Sequence, residues 1–217
     1  MTYIPKIAGT AAVTLGGLFL VLAAVLMYLP SIGLGPGTLN DPETGIRFIE
    51  SSFIPAGIAL IYLGIGVATM VALSATAQAL RATQPTLADW TVFAGTAAGA
   101  LMVGYAMSDL VALPYATAAY HVDAVIGSSA YVAIRAVGHG LSAGALFATG
   151  MGVAIVGFAG MRDRVLPRAL CVLMILGGLS VGLSFIILPL GLVGLLMAPI
   201  WSIWLGVVLL IGPKAQN

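Results

Sequence analysis

Apolar residues fill six long stretches of the chain, and polar residues fall mostly in the gaps between them. Within a stretch the apolar positions run on without the alternation that marks the strands of a membrane barrel. Each stretch is close to the roughly 20 residues that a helix needs to cross the hydrocarbon core of a bilayer. The pattern predicts an all-α, polytopic membrane protein. Its six transmembrane helices are expected near residues 7–29, 53–80, 90–113, 129–157, 169–188 and 192–211.

Composition supports a bilayer as the solvent of this chain. Hydrophobic residues make up 61% of the 217 positions and charged residues only 7%, whereas about 25% of the residues in a typical soluble domain are charged. A soluble protein with so few charges could not cover its surface with polar groups, so lipid is the expected partner of much of that surface. We expect residues 1–217 to form a single six-helix transmembrane domain.

The basic residues predict the orientation of the bundle. With six crossings, one side of the membrane receives Lys6, Arg81, Arg162, Arg164, Arg168 and Lys214. The other side receives only Arg47. Because cytoplasmic loops carry an excess of lysine and arginine, both termini are predicted to be cytoplasmic.

Three ionisable side chains fall inside predicted spans: Asp109 in the third, and Arg135 and His139 in the fourth. With one short connection between the two spans, Asp109 and Arg135 lie about 6 and 9 Å below the same surface. We therefore predict that they form an ion pair. His139 is expected on the face of Arg135 but deeper. Tyr105, one turn from Asp109, and Glu50, at the outer end of the second span, complete the predicted cluster.

This cluster has two interpretations. An aspartate and an arginine can lock two helices together, each reducing the cost of burying the other. Charged groups inside a membrane also mark proton relays, anion contacts and lipid-headgroup sites. Sequence alone leaves both interpretations open.

Cofactor and nucleic-acid functions find little support in the sequence. Haem held by two histidines is not expected, because the only candidates are His139 and His121, and His121 falls in the outer connection. His121 and Asp123 offer two metal ligands without a third. The single Cys171 precludes an intrachain disulfide, and no run of basic residues could bind nucleic-acid phosphates. No cofactor is predicted, and the sequence has no HExxH, GxSxG or P-loop motif.

Two segments of the chain carry a resemblance to a known group of proteins. They are RDRVLPRALCVLMILGG and, near the C-terminus, LMAPIWSIWLGVVLL. Both resemble a broad group of bacterial six-helix integral membrane proteins that is catalogued only as a domain of unknown function. The resemblance implies the bacterial cytoplasmic membrane as the location. It implies no activity and no functional residues.

Three functions therefore remain open. The first is a non-enzymatic accessory subunit of a membrane complex or a homo-oligomer, consistent with the glycine pairs Gly95/Gly99 and Gly140/Gly144, which favour close helix packing. The second is a binder or carrier of a small lipophilic or lipid-like ligand, in an outward-facing cavity near Asp109, Arg135, His139 and Tyr105. The third is a membrane redox or haem protein.

Overall fold

The structure, a computed structural model, describes residues 3–34 and 37–211, and this part of the chain is helical without any strand. The helices are α1 (Tyr3–Tyr28), α2 (Pro42–Ser51), α3 (Ile54–Leu80), α4 (Pro85–Met107), α5 (Leu113–Val122), α6 (Ala124–Asp163), α7 (Arg168–Gly182) and α8 (Leu188–Ile211). Short 3-10 helices cover Leu29–Ile32 and Thr38–Asn40. A π-helical turn, Ser108–Ala112, joins α4 to α5. Lys214, one of the residues used to predict orientation, lies outside the described residues.

Five helical segments in the described part of the chain are long and apolar enough to cross a membrane. They are Lys6–Ile32, Ile54–Leu80, Pro85–Val122, Ala124–Asp163 and Pro189–Ile211. Helix α7 is also apolar but has only 15 residues, or about 22 Å of helix. The chain is thus all-α and has helices typical of a membrane protein.

The long helices pack in a closed ring. Each of α1, α3, α4, α6, α7 and α8 packs against the next along the chain, and α8 packs against α1. Ring closure is antiparallel, because Gly9 of α1 lies against Gly206 of α8 whereas Gly16 lies against Pro199. One end of the ring carries α2 and the junction of α5 with α6, and we call it the α2 end. The opposite end carries the turns at 81–84 and 164–167.

Glycines bring several neighbouring helices into backbone contact. A Cβ atom on Gly150 of α6 would lie 2.3 Å from the carbonyl oxygen of Gly178 and 2.5 Å from the amide nitrogen of Gly182, both on α7. Gly99 of α4 similarly abuts the carbonyl oxygen of Gly66 on α3, at 3.0 Å from an added Cβ. Such close approach is a common way to pack helices in lipid. Gly140, by contrast, faces open space, so the Gly140/Gly144 pair is not a packing motif as a whole.

The hairpin of α4–α5 and α6 is longer than predicted. The continuous helix from Pro85 to Val122 has 38 residues and α6 has 40, so they are about 57 and 60 Å long. A bilayer with its headgroups is about 40–45 Å thick. The third span was expected to end near residue 113, but the helix continues through Pro114 by way of the π-helical turn. Residues 183–187, expected to complete the fifth span, instead form turns between α7 and α8.

Helix α2 is amphipathic and packs against α3, α5 and α6 at one end of the ring. Pro42 occupies its first turn, and the Asp41 carboxylate accepts hydrogen bonds from the Thr44 hydroxyl at 2.7 Å and the Thr44 amide at 2.9 Å. These bonds, that of the hydroxyl above all, lower the pKa of Asp41 below its usual value of 3.8. Ile46 and Phe48 are buried beneath the helix. The connection between the first two predicted spans is therefore partly helical.

Candidate ligand-binding site

Asp109 lies in the π-helical turn between α4 and α5. Pro114 has no amide hydrogen to donate to Leu110, and its ring would clash with that carbonyl in a regular α-helix. The turn widens the helix just before the proline, and the Leu113 amide donates to the Ser108 carbonyl, five residues back. Single π-helical turns of this kind occur frequently at functional sites. Here the turn places a carboxylate against α6.

The structure brings Asp109 and Arg135 together. Arg135 Nη1 lies 3.5 Å from Asp109 Oδ1, and the two side chains are only 18% and 10% exposed. Charge-assisted hydrogen bonds are usually about 2.7–2.9 Å long. The contact between Arg135 and Asp109 is therefore long for an ion pair. Arg135 Nε is buried and has no hydrogen-bond partner among the described residues. The guanidinium group thus retains a donor that no described residue uses.

Asp109 and Arg135 line a cavity of about 140 Å³ at the α2 end, which we call the chamber. Three tyrosines, Tyr62, Tyr105 and Tyr131, also face it. The rings of Tyr62 and Tyr105 meet edge to face with their centroids 4.9 Å apart. The remaining walls are mostly aliphatic or aromatic: Leu26, Leu29, Leu39, Gly45, Phe48, Ile49, Pro55, Ile58 and Leu113. The chamber therefore combines a buried ion pair with apolar walls.

The segment from Leu39 to Ile49, which contains most of α2, closes the chamber at the end of the ring. We call this segment the roof. The Tyr131 hydroxyl donates a hydrogen bond of 2.6 Å to the Leu39 carbonyl, just before α2. A Cβ atom on Gly45 would lie 1.9 Å from the same hydroxyl. Because the ring of Tyr131 lies directly under the helix, any side chain at position 45 would displace the roof.

A second cavity of about 250 Å³ adjoins the chamber, and we call it the vestibule. Its walls are Ile49, Glu50, Ser51, Ser52, Phe53, Pro55, Ala56, Asp109, Leu110 and Pro114. Asp109 lines both cavities, so it stands between them. Glu50 also pairs with His121 of α5, at the exposed side of the vestibule. The vestibule thus lies between the exposed Glu50–His121 pair and Asp109.

The predicted cluster is only partly assembled. Tyr105 lines the chamber, whereas Glu50 lines only the vestibule. His139 is exposed on α6 and lines neither cavity. Gly138 is the residue that faces α4, since a Cβ atom there would contact Tyr105 and Ser108. His139, the next residue, is rotated by about 100° on the helix and points away from α4, although it lies one turn from Arg135.

Tyr62 and Tyr131 are site residues that the sequence analysis missed. Tyr131 lies one turn before Arg135 on α6, and this spacing on one helix face could have identified it. Tyr62 has a weaker signal, because nothing in the sequence shows that α3 and α4 place it against Tyr105. The role of Gly45 could not have been found without the fold.

Within the described part of the chain, the two histidines are not part of a metal centre. Among the described residues there is no group of three or more histidine, cysteine and acidic side chains that could hold a metal ion. Asp123, the other residue considered with His121, caps α6 by accepting from the amides of Val125 and Ile126. The expectation that the chain binds no haem stays a prediction.

Comparison with known proteins places no constraint on this site, since no family model, no curated protein and no solved structure matches the chain. The resemblance to bacterial six-helix membrane proteins stays a prediction. The site must be interpreted from its own chemistry. Arginine and tyrosine donors can hold an oxygen-bearing group in the chamber, and the apolar walls can hold a hydrocarbon part.

Proposed function

We propose that the protein binds a small amphiphilic ligand whose oxyanion head enters the chamber. The observation that carries this proposal is the unused, buried Nε donor of Arg135. Buried polar groups in proteins almost always have a hydrogen-bond partner, so an unpartnered donor inside a cavity calls for one from outside the chain. Carboxylate and phosphate oxygens are the acceptors that a guanidinium group binds best.

The dimensions of the site favour a head in the chamber and a tail in the vestibule. A chamber of about 140 Å³ has room for a small polar group, since one water occupies about 30 Å³ in the liquid. The vestibule is larger and is lined partly by apolar side chains, including Phe53, which is 96% exposed. A hydrocarbon tail would leave the chamber past Asp109 and Phe53 towards lipid.

Thermal unfolding in a mild non-ionic detergent tests this proposal with decanoate as the probe and decanol as its uncharged control. Ligand at a hundredfold excess over its dissociation constant stabilises the folded state by about 2.7 kcal/mol, so decanoate should raise the melting temperature clearly more than decanol. Arg135→Gln should abolish the difference. Arg47→Gln should preserve it, because Arg47 is exposed at the same end and pairs with Glu43. Equal shifts with the two probes would contradict the proposal.

A second candidate is an accessory subunit or homo-oligomer, as the sequence analysis first expected. One observation favours it: α1 and α8 form an apolar groove of about 590 Å³ on the bundle surface. Its walls are Leu20, Ala23, Ala24, Met27, Leu195, Leu196, Pro199, Ile200, Ile203 and Trp204. If a second copy occupies the groove, Ala24→Trp should convert an oligomer into a monomer in detergent, as measured by light scattering. A wild-type monomer would exclude the homo-oligomer. A membrane haem protein remains the third proposal, and a Soret band on the purified protein would support it.

The location proposed is the bacterial cytoplasmic membrane, with six crossings and both termini cytoplasmic. In support, Lys6, Arg81, Arg162, Arg164 and Arg168 all lie at the end of the ring opposite α2. Helix α7 would then be a short crossing completed by the turns that follow it. Cysteines introduced at positions 47 and 164 should react with impermeant reagents from opposite sides of the membrane, and labelling from the same side would refute the six-crossing topology.

A further inference from the structure

A separate cavity lies inside the ring at the end opposite α2. Its volume is about 270 Å³, and we call it the opposite-end cavity. Thr76, Thr83 and Asp163 are among its walls, and the other lining side chains are apolar. The Thr83 hydroxyl donates a hydrogen bond to the carboxylate of Asp163. The ring therefore has a cavity bordered by a carboxylate at each end: Asp109 at one and Asp163 at the other.

Hydroxyl groups on one face of α3 run from the chamber to this cavity. Tyr62, Thr69, Thr76 and Thr83 follow one another at intervals of seven residues. A seven-residue interval drifts by only about 20° on an α-helix, so the first three form one stripe along α3, and Thr83 follows in the turn at its end. Tyr62 lines the chamber, whereas Thr76 and Thr83 line the opposite-end cavity.

Thr69 lies midway along this stripe, in the packed core between the two cavities. It is 1% exposed, and its hydroxyl has no hydrogen-bond partner among the described residues. Thr76, by contrast, donates to the Ala72 carbonyl at 2.7 Å. Buried polar groups without protein partners are where internal water binds.

We propose that the hydroxyl stripe of α3 is a proton path across the bundle, with Asp109 and Asp163 as its terminal exchange groups. Asp109 takes a proton from water in the vestibule, and internal waters and hydroxyls each pass one proton on as they accept another. Asp163 releases one proton at the other end, so no group is changed after each transfer. The charged groups around Asp109 are Arg135, its partner, Glu50 across the vestibule, and the more distant His139. Asp163 is flanked along the chain by Arg162 and Arg164.

A proton fits this path better than a larger solute does. From Tyr62 to Thr76 the helix rises about 21 Å, and Ile65, Leu73 and Met102 are buried in the core cluster alongside. A solute would have to separate packed helices to pass. A proton needs only a transient file of waters, and Thr69 supplies a polar position halfway along it. Ionisable groups inside membrane helices commonly serve such relays.

Proton flux into proteoliposomes tests the path. Vesicles of neutral and anionic phospholipid would enclose the pH dye pyranine, and a potassium gradient with valinomycin would supply the driving potential. The wild-type protein should acidify the interior faster than protein-free vesicles do. Thr69→Val keeps the shape of the side chain but removes its hydroxyl, and it should lower the protein-dependent flux by about tenfold, as expected for the loss of one polar group from the barrier region. Thr69→Ser should retain most of the flux.

The matched control is Thr91→Val on α4. Thr91 is fully buried, and its hydroxyl donates to the Leu87 carbonyl of its own helix at 2.8 Å. It lines neither the chamber nor the opposite-end cavity. The proton flux through the Thr91→Val variant should equal that through the wild type. Wild-type flux no greater than that of empty vesicles, an unchanged flux in Thr69→Val, or an equal loss in Thr91→Val would each overturn the proton path. Decanoate binding in the chamber is measured separately, so either proposal can fail alone.

Discussion

The two halves of α6 are built differently. The half towards Asp163 packs through glycines, with Gly150 and Gly157 against backbone atoms of α7 and Gly152 against Leu73 of α3. The half towards Ala124 carries Tyr131 and Arg135 and borders the chamber. One half gains stability from close, dry contact, whereas the other gives up contact for a cavity that contains a buried charge pair. Local departures from good packing are expected at functional sites, where other parts of the fold supply the stability.

The largest expected effect comes from disrupting the glycine packing in the half of α6 towards Asp163. Gly150→Ala places a methyl group against backbone atoms of α7 that cannot rotate away, so it should lower the free energy of unfolding by about 3 kcal/mol. Gly140→Ala is the matched control on the same helix. With nothing within 4 Å of an added Cβ, it should be neutral or stabilise by up to about 1 kcal/mol. Denaturant titration in detergent measures both, and equal effects would show that the two halves are packed alike.

The next effect concerns the charge pair. Arg135→Gln leaves Asp109, which is 10% exposed, without its cationic partner. Removal of one member of a buried pair typically costs about 3 kcal/mol or more, but the long contact and the neighbouring cavities bring the expected loss of unfolding free energy closer to 2 kcal/mol. The same titration measures it. No loss of stability would mean that the pair is solvated and the chamber is open to water.

A smaller effect is expected from weakening the contact between Tyr131 and the roof while Asp109 and Arg135 stay unchanged. Tyr131→Phe removes the hydrogen bond to the Leu39 carbonyl and should cost about 1 kcal/mol. Amide hydrogen exchange in α2 should accelerate, whereas exchange in the part of α6 around Val153 should stay unchanged. Uniform acceleration along α6 would argue against a roof that is separate from the packed half.

Sequence patterns predicted the helical class and the meeting of Asp109 with Arg135, because both follow from periodicity and from two helices joined by a short connection. Such patterns do not show how packing orients a side chain. His139 shares a nominal helix face with Arg135, yet the contact with α4 passes through Gly138 and turns the histidine outward. The π-helical turn at Asp109 depends on how the chain accommodates Pro114, which could equally have ended the helix.

The double variant Asp109→Asn/Arg135→Gln distinguishes a ligand site from a structural lock most directly. Removing both charges also removes the cost of leaving one unpaired, so unfolding free energy should return most of the way from Arg135→Gln to the wild type. The excess stabilisation by decanoate over decanol should stay absent, because the chamber has lost its guanidinium donor. A variant that regains both its stability and its response to decanoate would contradict a ligand site at Arg135.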